Sequence, residues 1–282
     1  MAIENFIPTI WSENLYRALD KRYIGVAHCN RDFEGDIKSC GSKVKICGVG
    51  NVNVYQYNKD NNLSEPQALT DTCVEMSIDQ ARYFNFQIDD VDRAQCTPKL
   101  MDAAMNVASA SLANAADSYI YSLYIDAGHT VENMAPTPEN ILDTILTARQ
   151  KLYENNVSEG EEVVLEVSPA IATILIKAKI LSATDNTDIL DTGCIGSIAG
   201  CHVYVTNNLY ADTYVEDNLR FCLMRTKRAI AYAEQLSEIE AYRPEKRFAD
   251  AVKGMLLFGA KVVYPQELVC VSIIETGTAA TE

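Results

Sequence analysis

The tripeptide Asp191-Thr192-Gly193 carries the sharpest chemical signature in the chain. It matches the Asp-Thr/Ser-Gly tripeptide in which two carboxylates share one proton in aspartic proteases. A single copy would need a symmetric dimer to supply the second carboxylate. Here it closes a polar loop rather than leaving a hydrophobic strand, so it reads as a surface turn. Cys194 and the Cys201-His202 pair offer sulfur and imidazole, yet the gap between the two cysteines lacks a second Cys or His pair and is not zinc spacing. Buried small hydrophobes are the simpler reading. His28, His129 and His202 have no nucleophile motif beside them. Gly48-Val49-Gly50 lacks the later glycine and the helix of a phosphate loop. Asp185, Asp188 and Asp191 miss the mid-loop glycine and closing glutamate of a calcium loop. The chain therefore reads as carrying no catalytic, cofactor or metal site.

The elements around these residues belong to a chain of 282 residues, 48% hydrophobic and 22% charged, enough to bury a substantial core in one large or two modest domains. A net charge of -15 argues against a nucleic-acid reader, because phosphate binding rests on clustered Lys and Arg. Met1 to Trp11 has no basic, apolar leader pattern, and no stretch approaches the length of a membrane span, so the expectation is a soluble cytosolic protein. Nine singly scattered cysteines then read as reduced, mostly packed thiols, of which at most a minority should be reactive.

From Gly25 to Val91 the pattern is period-two and polar. Val44 and Ile46 alternate with lysines, Val52 and Val54 with asparagine and tyrosine, Val74, Met76 and Ile78 with Glu75 and Ser77, and Phe84, Phe86 and Ile88 with Asn85 and Gln87. Gly48 to Thr70 is too polar to enclose a core and must lean on its own globule or on another subunit. Three hydroxyl residues followed by proline announce helices: Thr97-Pro98, Thr137-Pro138 and Ser168-Pro169. The first is the longest, with Met101, Met105, Ala108, Leu112, Ala115, Tyr119 and Leu123 on a core stripe and no break before Gly128, on the order of 40 Å. The second carries Ile141, Ile145, Ala148 and Leu152 and ends at Asn155-Asn156; the third spans Pro169 to Lys179. Strands are expected at Val163 to Val167, His202 to Thr206, Arg220 to Met224, Met255 to Tyr264 and Leu268 to Ile274. The order lacks regular βαβ alternation, so the class is α+β.

In that order, and in local phrases, the chain resembles the major capsid proteins of tailed phages, which share a fold with those of herpesviruses. The phrases are Ile3-Glu4-Asn5-Phe6-Ile7-Pro8-Thr9-Ile10-Trp11-Ser12, then Ile78-Asp79-Gln80 through Phe84-Asn85-Phe86-Gln87-Ile88-Asp89-Asp90, then Gly193-Cys194-Ile195-Gly196 to Gly200-Cys201-His202-Val203-Tyr204-Val205-Thr206-Asn207-Asn208. Phe248-Ala249-Asp250 to Val252-Lys253-Gly254 and Tyr264-Pro265 close the series. The resemblance implies an N-terminal arm at 1–28, an extended β-loop at 29–81, and a peripheral domain at 82–136 and 246–275 with its spine helix at 97–127. It further implies an axial α/β domain at 137–245 and a tail at 276–282.

The function so implied is structural: hexamers and pentamers building an icosahedral shell around phage double-stranded DNA, assembled in the host bacterial cytoplasm, with no enzyme activity and no cofactor. The implied partners are further copies of the chain, a separate scaffolding protein, a portal and decoration proteins, with DNA held only by enclosure and no membrane. Trp11, Val52, Val54, Tyr55 and Tyr57 are the implied intersubunit contacts. Covalent cross-linking has no assignable residue pair. Two rival readings remain: a cargo-holding bacterial nanocompartment of the same fold, and a cytosolic enzyme using Asp191 or a cysteine.

Overall fold

The computed structural model describes residues 23–33, 43–49, 54, 71–89, 100–157, 161–178, 194–212, 219–236, 239–246 and 248–274. Two strands, β1 (Lys43–Val49) and β2 (Asp71–Ser77), form an antiparallel hairpin stem. β3 (Gln80–Asp89) then pairs along its whole length with the late strand β12 (Ala249–Val262), which also pairs with β10 (Ile230–Leu236) and the short β11 (Glu240–Tyr242). A seven-stranded sheet holds β4 (His129–Asn133), β5 (Val163–Val167), β6 (Cys194–Ile198), β7 (Cys201–Val205), β8 (Ala211–Asp212), β9 (Leu219–Thr226) and β13 (Leu268–Ile274). Its path runs β4-β13-β9-β5-β7-β6, parallel at β4–β13 and β5–β7 and antiparallel elsewhere, with β8 on β9. The helices are α1 (Leu100–Ser122), α2 (Ile141–Glu154) and α3 (Pro169–Lys177). The α+β class read from the residues is the class observed.

Alternation decides which face of each strand meets which core. In β12, Leu256, Phe258, Ala260 and Val262 enter the main core with Ile230 and Tyr232 of β10, whereas Leu257 faces the other way with Ala231 and Ala233. That second face receives Val44, Ile46, Met76 and Ile78, so the hairpin stem is seated on its own subunit's sheet. Gly259 makes the seat possible: a Cβ there would lie 2.3 Å from the Ser77 carbonyl oxygen. The β10 strand had no expectation from the residues because alanine is poor in strands. Here Ala231 and Ala233 are small where the hairpin presses down.

The described part of the expected 97–127 helix changes character toward its end. Its α-helical part is Leu100–Ser122, about 35 Å, followed by a tighter 3-10 turn at Leu123–Asp126; the Thr97-Pro98 cap lies outside the described residues. Its deepest face is also rotated from the expected stripe. Ala108, Leu112, Ala113, Ala116, Asp117, Ile120 and Tyr121 are buried, while Ala115, Tyr119 and Leu123 are only partly so. The shift follows from Asp117, a buried acid that no apolar stripe can predict.

At α2 the assigned helix starts at Ile141, not at Pro138, although Thr137 does cap. Its Oγ1 accepts the Asn140 N–H at 3.3 Å while Asn140 Oδ1 accepts the Thr137 N–H at 2.8 Å, a reciprocal pair that closes the entry turn. Asn156, at φ 62°, takes the left-handed conformation just beyond the helix end. For α3, Ser168 Oγ accepts the Ile171 N–H at 3.4 Å, and the helix ends at Lys177, two residues short of the expected Lys179. The last long strand begins at Ala249, six residues before the expected Met255, because charged Asp250 and Lys253 hide its alternation.

Candidate functional site: a clamped N-terminal strap and exposed apolar surfaces

Residues Tyr23 to Phe33 form a strap across the molecule, held by carboxylates and a guanidinium rising from four separate elements. Asp117 of α1 accepts the backbone N–H groups of Ile24 (3.1 Å, Oδ2) and Val26 (3.0 Å, Oδ1). Arg225 of β9 donates through Nη2 to the Gly25 carbonyl at 2.8 Å and through Nη1 to the His28 carbonyl at 2.5 Å. Its Nε and Nη2 also grip both oxygens of Glu166 on β5, at 3.1 and 2.8 Å. Glu234 of β10 accepts from Tyr23 (2.6 Å), Arg31 (2.8 Å) and Tyr232 (2.8 Å). Asn30 adds backbone bonds to Ile230 and Tyr232.

Both side chains of the Arg225–Glu166 pair are 0% exposed. Burial alone would raise the Glu166 carboxyl and lower the Arg225 guanidinium, but each outweighs that for the other: Glu166 is held below the usual carboxylate range and Arg225 above its own. For Asp117 burial wins and pushes its carboxyl up to about 6, against the two N–H bonds that pull it down. Burial likewise lifts the Cys29 thiol to about 11, and that thiol donates to the Gly25 carbonyl. His28 lies against the Tyr204 ring at 4.2 Å, with Nδ1 3.5 Å from Glu166 Oε1 and outside hydrogen-bond geometry. The cluster therefore holds backbone in place and offers no activated nucleophile.

The outer surfaces are of another kind. Between β3 and α1 lies a cleft of about 770 Å³ lined by Tyr83, Phe84, Phe86, Ala104, Val107 and Ala108, among others. Tyr83, 78% exposed, and Val107, 66% exposed, are apolar groups left in water. Phe248, 81% exposed, joins them at the entry to β12, and Ile125 stands out beyond the end of α1. Where such groups form a contiguous patch, they are suited to cover by another surface.

Of the expected intersubunit contacts, Trp11, Val52, Tyr55 and Tyr57 lie outside the described residues, and Val54 is 94% exposed. Asp191-Thr192-Gly193 also lies outside them. Cys194 and Cys201 are buried, their thiols directed to the carbonyls of Gly196 and Ala199. Among the described residues, no three or more His, Cys, Asp or Glu gather as a metal site, and no helix is long and apolar enough to cross a membrane. Sequence reasoning missed Asp117, Glu166, Arg225 and Glu234. The available signal was a lone charge in an otherwise buried run, as in Val163-Val164-Leu165-Glu166-Val167.

No protein-family model matches the chain, and no curated protein matches it. Solved structures do. A structure from Mycobacterium phage Che8 is 27% identical, with a TM-score of 0.67 over 88% of this chain and 90% of that one. The capsid of Ralstonia phage GP4 is 11% identical, with a TM-score of 0.72 over 92% of this chain and 91% of that one. A virus-like particle from Pyrococcus furiosus is 11% identical, with a TM-score of 0.56 over 92% and 96%.

Proposed function

We propose that this chain, which has the fold of phage capsid proteins, is a major capsid protein whose copies associate as hexamers and pentamers into a closed shell around phage double-stranded DNA. One observation carries the reading: the likeness to phage capsid structures runs over about nine-tenths of both chains. The surfaces agree with it. Exposed Tyr83, Val107 and Phe248 are suited to cover by a neighbour. Trp11, Val52, Val54, Tyr55 and Tyr57 are the proposed contacts, with scaffolding, portal and decoration proteins as further partners and the virion as the final location.

Negative-stain microscopy of the expressed protein, alone and with neighbouring gene products, is the test. Rings, tubes or shells are expected; a monodisperse monomer across concentrations and salts, even with its scaffold present, rejects the reading. Hydrogen exchange adds a local test, with the 48–70 segment exchanging fast in the free subunit and slowly in the particle. The likeness to the Pyrococcus furiosus particle favours one second reading, a cargo-holding nanocompartment shell. Packaged contents separate the two, long double-stranded DNA in one case and a protein cargo in the other.

A further inference from the structure

A guanidinium keeps its proton in a protein, so one taken out of water needs acceptors around it. Arg225 has them in the two oxygens of Glu166 and in the carbonyls of Gly25 and His28. Arg149 of α2 does not. It is 2% exposed, yet its Nε and Nη1 have no hydrogen-bond partner among the described residues, and its guanidinium lies over the Tyr153 ring, 4.3 Å from the centroid. Helical spacing puts Leu142, Leu146, Arg149 and Tyr153 along one flank of α2, where Leu146 and Tyr153 are exposed apolar groups. The opposite flank is tied to β4: Lys151 donates to the Thr130 carbonyl at 2.6 Å, and Asn155 meets His129 at 2.7 Å. The Arg149 flank therefore looks away from that edge of the sheet. On its own side, burial pushes the Cys201 thiol of β7 up to about 11 and the nearby Arg149 guanidinium pulls against it.

The far edge of the same sheet carries the complement. β4 ends the strand path, Glu132 on it is exposed with no cation paired to its carboxylate among the described residues, and Met134, two residues on, is half-exposed. We propose, resting on the capsid reading, that the α2 flank of one copy receives the β4 edge of a second copy, with the Glu132 carboxylate on the Arg149 guanidinium and Met134 against Leu146. The Tyr153 ring, half-exposed over the guanidinium, is the group that swings aside as the carboxylate arrives. Each copy gives one surface and takes the other, the head-to-tail contact that closes into rings instead of stopping at a pair. Charge favours a second copy as the occupant. A chain with 39 acidic residues against 24 basic ones repels its copies over most of its surface, so a cation that its own fold leaves uncompensated is a place where two copies attract.

The test follows full-length protein by sedimentation across concentrations and by denaturant unfolding of the unassembled subunit. Arg149→Met is expected to raise the concentration at which copies associate by roughly tenfold or more. Its unfolding midpoint should stay level or rise, since within one copy the charge has no acceptor to lose. Glu132→Gln should weaken association likewise, and the double variant no further than either single one. In Arg149→Lys, a carbodiimide applied to mixed light and heavy nitrogen copies should join positions 149 and 132 between a light and a heavy peptide. A midpoint lowered in Arg149→Met would reveal an acceptor inside the copy, and a cross-link confined to single copies would place the pair within one chain. Inorganic phosphate that raises the midpoint of the native chain but not of Arg149→Met would make the occupant a free anion. Any of these overturns the proposal. Native association in Arg149→Met overturns it and leaves the capsid reading standing, whereas a native chain that stays monomeric at every concentration rejects both.

Discussion

Removing the Arg225 guanidinium leaves Glu166 charged, buried and without its cation, and also frees the carbonyls of Gly25 and His28. Breaking a buried pair from one side costs about 3–5 kcal/mol, whereas replacing both partners with apolar groups is often nearly neutral. Arg225→Met should lower stability by that amount in denaturant unfolding, and Glu166→Leu/Arg225→Met should recover much of it. A loss below about 1 kcal/mol in the single variant contradicts the clamp. Asp117 gives a prediction of its own. Its folded value near 6 lies above the ordinary carboxylate value, so between about pH 4 and 6 the native state keeps a proton that the unfolded state has released. Its contribution to stability therefore falls as pH rises through that window, by about 3 kcal/mol in all. Asn cannot titrate, so the stability of Asp117→Asn relative to the native chain should improve by that order from pH 4 to pH 7. A flat difference across the window would show that Asp117 is not raised.

Among the elements, legibility followed from how each buries its side chains. Val163–Val167 and Leu268–Ile274 were plain because an unbroken branched or aliphatic run has few other uses. The β4 and β10 strands were hidden, the first by polar residues around a single buried Val131, the second by alanines. Ser168-Pro169 marked its helix start, since cap and proline chemistry is local and needs no tertiary context. The lone charge of Glu166 in its apolar run was a signal, but its pairing could not be read, because a carboxylate and a guanidinium 59 positions apart become a pair only after the sheet has formed. Gly259 carries the prediction at this scale. In Gly259→Ala the new methyl meets the Ser77 carbonyl and the Ile78 Cα, both main-chain atoms that cannot rotate away. The hairpin stem should lift, at a cost of about 1–3 kcal/mol, with faster exchange in β1 and β2 and an undisturbed seven-stranded sheet. Exchange unchanged in β1 and β2 would mean that the seat is looser than its geometry.

For the whole molecule, the same pairings set an order in time. The strap near the N-terminus is fixed by Asp117, Arg225 and Glu234, and β3 finds its partner only in β12, near the other end of the chain. At about 5–20 residues per second, a ribosome needs roughly 10 to 40 s to travel from the strap to Glu234. The residues made first are therefore among those fixed last, and contacts of such long sequence separation form slowly. A nascent chain shows no finished β3–β12 surface until β12, which ends at Val262, has emerged. Ribosome-held chains ending before residue 219 should leave the strap open to protease, and release of the full-length chain should protect it.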